Sequence, residues 1–236
     1  MKRTRRLLCL LAVCLLITGT AAGCGERGLF VALRDERSLP RRPAWDDPLV
    51  LTEIATQILT CRIEACTEVI YAPQNGLSFF YTARIVDVHL DIDAVWKEGD
   101  VVTISSRSGM IPIHELLAHI LYQDAAELGV DLSAAYSDRA CLAASIDDMI
   151  PIEVGKTYLF YLDDGRDMPS DSLHVFGGSD LYEIDGQTVW QGSRRRRARE
   201  SKDELTERIA TQIAARSGIA DQMGLVAYLS MLEKDG

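Results

Sequence analysis

The sequence predicts a mainly β fold with helical additions, on three observations. Two long runs of strand-forming residues, 57 to 71 and 78 to 90, flank a Pro73-Gln74-Asn75-Gly76 turn. The second run changes phase, from Tyr81, Ala83 and Ile85 to Val86, Val88 and Leu90, as a β-bulge requires. Helical apolar spacing is confined to residues 113 to 129 and to the segment after residue 200.

The elements follow in order. A short helix starts at Asp46-Asp47-Pro48, where an Asp cap satisfies free amides and Pro presets φ, and it ends near Thr56. In the first long run Leu59, Cys61, Ile63 and Val69 share one face, while Arg62, Glu64, Cys66 and Glu68 share the polar face. Long strands that bend at a bulge are how small barrels close. Val95-Trp96-Lys97-Glu98-Gly99-Asp100 turns into a strand at Val101 to Ser106 that ends at Gly109. Ile113, Leu116, Leu117, Ile120, Leu121 and Leu128 mark a helix stopped by Gly129, and residues 130 to 148 carry no clear pattern. Lys156 to Leu162 is a strand, and Leu181 to Gln191 is another, folded into a hairpin at Asp185-Gly186. Ser201 and Glu204 form a capping box for a helix with Leu205, Ile209 and Ile213 on one stripe, stopped by Gly218. Leu225, Tyr228, Leu229 and Leu232 make a second helical stripe.

The N-terminus reads as an export signal. Lys2, Arg3, Arg5 and Arg6 precede the apolar run Leu7 to Ile17, which is too short to span a bilayer. Ala21-Ala22-Gly23-Cys24 then resembles the lipobox of bacterial lipoproteins, with Ala21 where a bulky aliphatic is usual. The resemblance implies cleavage before Cys24, a diacylglycerol thioether on its sulfur and a stable anchor in a bacterial membrane. Gly25, rather than Asp, favours the outer membrane where a cell has two. Removing residues 1 to 23 lowers Lys+Arg from 25 to 21 against 35 Asp+Glu, a formal −14, which argues against nucleic acid as a partner. Residues 24 to 46, with Pro40 and Pro43, read as a lipidated tether. Roughly 190 residues remain, enough for one domain, residues 47 to 191, and a helical appendage, residues 192 to 236. Cys9 and Cys14 leave with the signal peptide, so the domain holds Cys61, Cys66 and Cys141; a Cys66–Cys141 disulfide is one expectation and separate thiols the other.

The run Ala83-Arg84-Ile85-Val86-Asp87-Val88-His89, the Val95 to Asp100 turn, and Pro151-Ile152-Glu153-Val154-Gly155-Lys156-Thr157-Tyr158-Leu159-Phe160 resemble the netrin-like, tissue-inhibitor-of-metalloproteinase-like domain. The resemblance covers residues 47 to 191, with an enlarged insertion at 110 to 148, and implies an OB-like five-stranded barrel; the two C-terminal helices follow it in the chain. Inhibitors of that family chelate a protease metal through a free N-terminal Cys. An acylated Cys24 on a tether cannot do so, and the family's N-terminal disulfides have no counterparts in the sequence.

Chemistry-bearing motifs are few. His114 and His119 in HisGluLeuLeuAlaHis are five apart, about 140° around a helix, whereas a shared zinc needs four. Gly155-Lys156-Thr157 ends like a phosphate loop but has Ile150 in place of its first Gly and a strand after it. Asp87, His89, Asp91 and Asp93 alternate through a strand end and read as a solvated edge, with Asp163-Asp164-Gly165-Arg166-Asp167 a polar turn. Arg194, Arg195, Arg196, Arg197 and Arg199 form a basic block that suits a linker or contact with anionic lipid. No residue is assigned a catalytic role, and no metal or cofactor is expected. The expected function is a non-enzymatic binding module, held by lipid on Cys24 and meeting an envelope protein; a metal-dependent hydrolase using acidic residues near His89 and His114, and a protease inhibitor acting through its loops, are the alternatives.

Overall fold

A computed structural model describes residues 30–34, 47–73, 76–133, 140–145, 150–163, 172–175, 181–191, 198–223, 227–228 and 230–231. The fold is mainly β with helices, as expected. In chain order the elements are β1 (Phe30–Arg34), α1 (Pro48–Ile54), β2 (Gln57–Ala72), β3 (Gly76–Asp91), β4 (Val101–Ser106), β5 (Gly109–Pro112), α2 (Ile113–His119), α3 (Tyr122–Glu127), β6 (Cys141–Ser145), β7 (Thr157–Asp163), β8 (Leu173–Val175), β9 (Tyr182–Asp185), β10 (Thr188–Gln191), β11 (Ala198–Ser201), α4 (Lys202–Ala214) and α5 (Ile219–Met223).

The long hairpin β2–β3 organises the larger sheet. The ladder slips between Thr60 and Cys61, where Val86 of β3 is left over, so the phase change in the sequence is a bulge. Two further slips lie in β2, at Ile63/Ala65 and Cys66/Glu68. The first slip reverses the alternation, which turns Cys66 off the polar face where simple alternation puts it and packs it against the core.

Pairings run β7–β2–β3–β4–β8, and β8 pairs back with β7, so five strands form a closed circuit. The β4–β8 pairing is parallel and the others antiparallel. Inside the circuit, Leu59, Phe79, Tyr81, Ile85, Ile104, Tyr158 and Phe160 belong to one buried cluster, which α2 joins through Ile113 and Leu116. A second sheet, β1–β6–β5, sits beside it. β9, β10 and β11 extend the larger sheet from β7. The outer face of β2 and β7, through Ile58, Leu159 and Tyr161, is covered by Leu51 and Ile54 of α1, Leu205 and Ile209 of α4 and Ala220 of α5. β7 is therefore buried on both faces, which explains its unbroken apolar run.

Several boundaries differ from the sequence reading. Residues 113 to 129 form two helices rather than one, because Ile120 is extended (φ −120°, ψ 158°). The break lets Ile120, Ala125 and Val130 all reach the core. β5, β6, β8 and β11 are additional to the strands the sequence pattern marks: they are three to five residues long, and each is defined by its neighbours. β1 lies within the residues read as tether, parallel to β6 with Phe30 opposite Cys141. β11 and α4 lie in the stretch read as appendage, yet they join the sheet and the second core. The predicted caps are present: the Leu49 amide donates to Asp47 Oδ1 at 2.9 Å, and Ser201 and Glu204 form the reciprocal box.

Candidate functional site

The sequence candidates disperse in three dimensions. Cys24 and Arg194 to Arg197 lie outside the described residues; Arg199 falls in β11 opposite Trp190. Cys61 and Cys66 carry free thiols, with burial pushing Cys61 to about 12 and Cys66 to about 11. Cys141 is disulfide-bonded. The expected Cys66–Cys141 bridge is thus not formed: Cys66 is turned into the main core from β2, whereas Cys141 lies in β6 of the other sheet.

His114 and His119 are exposed near opposite ends of α2. His89 is the unpaired residue of a β3 register shift, and its Nε2 lies 2.9 Å from Thr60 Oγ1 on β2. Burial, aided by Lys202, lowers its pKa, against Asp87. Asp91 does not converge with it: one carboxylate oxygen accepts the Trp96 amide at 2.6 Å and closes the β3–β4 connection. Among the described residues no group of three or more His, Cys, Asp or Glu side chains is placed to hold a metal ion. Lys156, at the end of the apparent phosphate loop, instead bridges two nearly buried carboxylates, Glu153 at 3.0 Å and Glu183 at 3.1 Å.

Three arrangements had no signature in the sequence. In the first, Ser105 of β4, His174 of β8 and Asp163 of β7 come together across the circuit. The Ser105 hydroxyl bonds His174 Nδ1, while His174 Nε2 is buried with no hydrogen-bond partner. A catalytic triad needs the acid on the ring nitrogen opposite the nucleophile, and Ser105 is 7% exposed, so this constellation is a joint between strands.

The second arrangement joins α1 to the C-terminal helices. Glu53 accepts from the Ser217 amide (2.9 Å), the Ser217 hydroxyl (2.7 Å) and the Ala220 amide (3.5 Å) beside the start of α5. Arg216 returns the favour at the carbonyl end of α1, donating to Thr52 O and Ala55 O at 3.1 and 2.7 Å. Burial pushes the Glu53 carboxyl up, but the Ser217 and Ala220 bonds and the Arg216 charge leave it below its ordinary value. Its contribution is complete above the unfolded carboxylate value of about 4.5 and is lost as pH falls through the lower folded one. Glu53→Ala is expected to cost about 2 kcal/mol and to release the C-terminal helices first; hydrogen exchange that rises throughout the chain rather than in residues 202 to 223 would refute this.

The third is a surface. Val86, Ile92, Val95 and Val101, on β3, the β3–β4 connection and β4, are exposed by 39, 40, 64 and 46%. Arg84 stands opposite Val101 and is held by Glu64 through a two-point ion pair at 2.6 and 3.2 Å. The connection also contains Ala94 at φ 52°, a conformation that side-chain-bearing residues rarely adopt and that recurs at binding loops.

No protein-family model and no curated protein matches this chain.

Proposed function

We propose that the chain is an exported, lipid-anchored, non-catalytic binding module whose circuit of strands is an OB-type barrel. The closed circuit carries the reading. Numbered within the circuit, β2, β3, β4, β7 and β8 run first, second, third, fifth, fourth and back to the first, with a parallel third–fifth pair. α2, α3, β5 and β6 lie between the third and fourth strands, where the resemblance to the netrin-like domain puts its insertion. OB-type barrels bind through the face of their second and third strands and adjoining loops. Val86 and Val101 lie exposed on the second and third strands, and the proposed partner is an envelope protein that covers them.

The anchor reading rests on the signal sequence and Cys24. Five residues separate Cys24 from β1, a stretch whose maximum reach is roughly 20 Å, so an anchor at Cys24 would keep β1 within that distance of the bilayer. Cys24→Ala is expected to move the protein from the membrane fraction to the soluble one. Val101→Glu is expected to leave it in the membrane but abolish crosslinking to the partner, while Leu49→Glu, an exposed change elsewhere, leaves crosslinking intact. Peptide mapping under non-reducing conditions adds an independent check, because a Cys24 sulfur held in a thioether cannot enter a disulfide. Recovery of a Cys24–Cys141 linked peptide from the mature protein would sink the anchor reading.

A further inference from the structure

The circuit is thinnest where it closes. β8 has three residues, and His174 is the one with a register partner on both sides, Ser105 of β4 and Asp163 of β7. Its ring is partly buried and bonds the Ser105 hydroxyl through Nδ1. Its other nitrogen, Nε2, is buried without a hydrogen-bond partner.

We propose that His174 is a pH-sensitive clasp: neutral, it holds β4 and β7 together through β8, and protonated, it opens the β4–β8 seam.

The reason is a count of donors and acceptors. A neutral imidazole has one N–H and one bare nitrogen, and a hydroxyl can donate or accept, so Ser105 satisfies Nδ1 in either tautomer. Protonation puts an N–H on both nitrogens and adds a charge. Nε2 then carries a buried cationic N–H with no acceptor, which costs more than an unmet neutral group. Opening the seam gives that N–H to water. Among the described residues the charged group acting on the ring is Asp163 on β7; β4 offers the Ser105 hydroxyl, and β8 itself offers Leu173 and Val175. Burial lowers the imidazole below its ordinary value of 6.5, and Asp163 offsets this only in part. The open state therefore binds the proton more readily. Seam stability is complete above about 6.5 and falls as pH drops from there through the folded value. The cost of opening is bounded, because β8 contributes two pairs to each neighbour whereas β2 and β3 remain joined over fourteen. Leu173 is buried in the main cluster and Val175 packs against it, so opening bares apolar surface beside the strand end.

Hydrogen exchange on the full mature chain tests this at about pH 7.5 and about pH 5.5, on either side of the ordinary imidazole value. After correction for intrinsic exchange, opening at Ile104 to Ser106 and Leu173 to Val175 is expected to increase on acidification, by up to about tenfold per pH unit, the limit for one proton. His174→Gln keeps a hydrogen-bonding side chain that takes no proton, and it should flatten the slope. His89→Gln should leave the slope in place, although His89 is also lowered by burial. A flat wild-type profile, a slope that survives His174→Gln, or one that vanishes in His89→Gln overturns the proposal. If His174→Gln does not fold, ring nitrogen NMR of the wild type decides: His174 titrating below 6.5 in step with seam opening supports the clasp, and titration at 6.5 with static seam amides overturns it.

Discussion

Lys156→Met is expected to lower stability by about 3 kcal/mol, the lower end of the range for removing one partner of a buried ion pair. Glu153 and Glu183 have side chains 11 and 9% exposed, and the Lys156 ammonium is the cation between them. Methionine preserves the aliphatic stem and removes only the charge, so the loss reports two nearby carboxylates without their shared counter-ion. The lysine side chain is about one-third exposed, which is why the lower end applies. The position also explains the extent of the damage. The turn at Glu153 to Lys156 is held to β2 by Gly155 N–H donating to Ile63 O at 2.8 Å and Ile63 N–H donating to Lys156 O at 2.9 Å. Glu183 stands in β9 opposite Tyr158, so the ammonium clips this turn to the far side of β7. Adding Glu183→Gln should restore part of the loss by removing one of the two like charges. Denaturant unfolding of the single and double variants measures the coupling, and additivity of the two changes would show that Lys156 does not act through Glu183.

Gly109→Ala is expected to cost about 3 kcal/mol or more, at or beyond the upper end for overpacking a core. A Cβ on Gly109 would meet the Tyr81 hydroxyl and would lie 2.7 and 2.8 Å from two atoms of the Phe79 ring. Neither aromatic can retreat. Both are fully buried, their rings stack at 6.2 Å, and the Tyr81 hydroxyl donates to Ile152 O at 3.3 Å. The melting temperature should fall by roughly 6–12 °C for a domain of this size. Tyr81→Phe in the same chain removes the nearest atom and should recover part of the loss. A Gly109→Ala protein that melts within about 2 °C of wild type would show that β5 moves aside.

Local patterns were legible because their causes are local. Asp47-Pro48 and the Ser201/Glu204 box carry their own hydrogen-bonding partners, and both start the helices they should. The phase change at Val86 marks the bulge because alternation is a property of a single strand. Cys66 shows the limit of that logic: one extra residue at Ile63/Ala65 reversed its face, and nothing in the composition of β2 marks the insertion. The candidate site was less legible. Ser105, Asp163 and His174 are far apart in the chain and meet only because β8 inserts between β4 and β7. Glu183 pairs with Lys156 only because β7 and β9 are neighbours, an order that no local pattern in the chain encodes.

The sequence by itself determined a mainly β domain with a C-terminal helix, the caps of α1 and α4 and the long bent hairpin, because each depends on periodicity or on contacts a few residues apart. The proposed export signal and anchor at Cys24 likewise rest on contiguous residues, which no folded contact is needed to read. Only the tertiary structure decided the closure of the circuit through β8, the face taken by Cys66, the burial of both sides of β7 and the exposure of Val86, Val95 and Val101. These depend on which strands become neighbours, and short strands such as β5, β8 and β11 acquire their conformation from the partners that complete their hydrogen bonds.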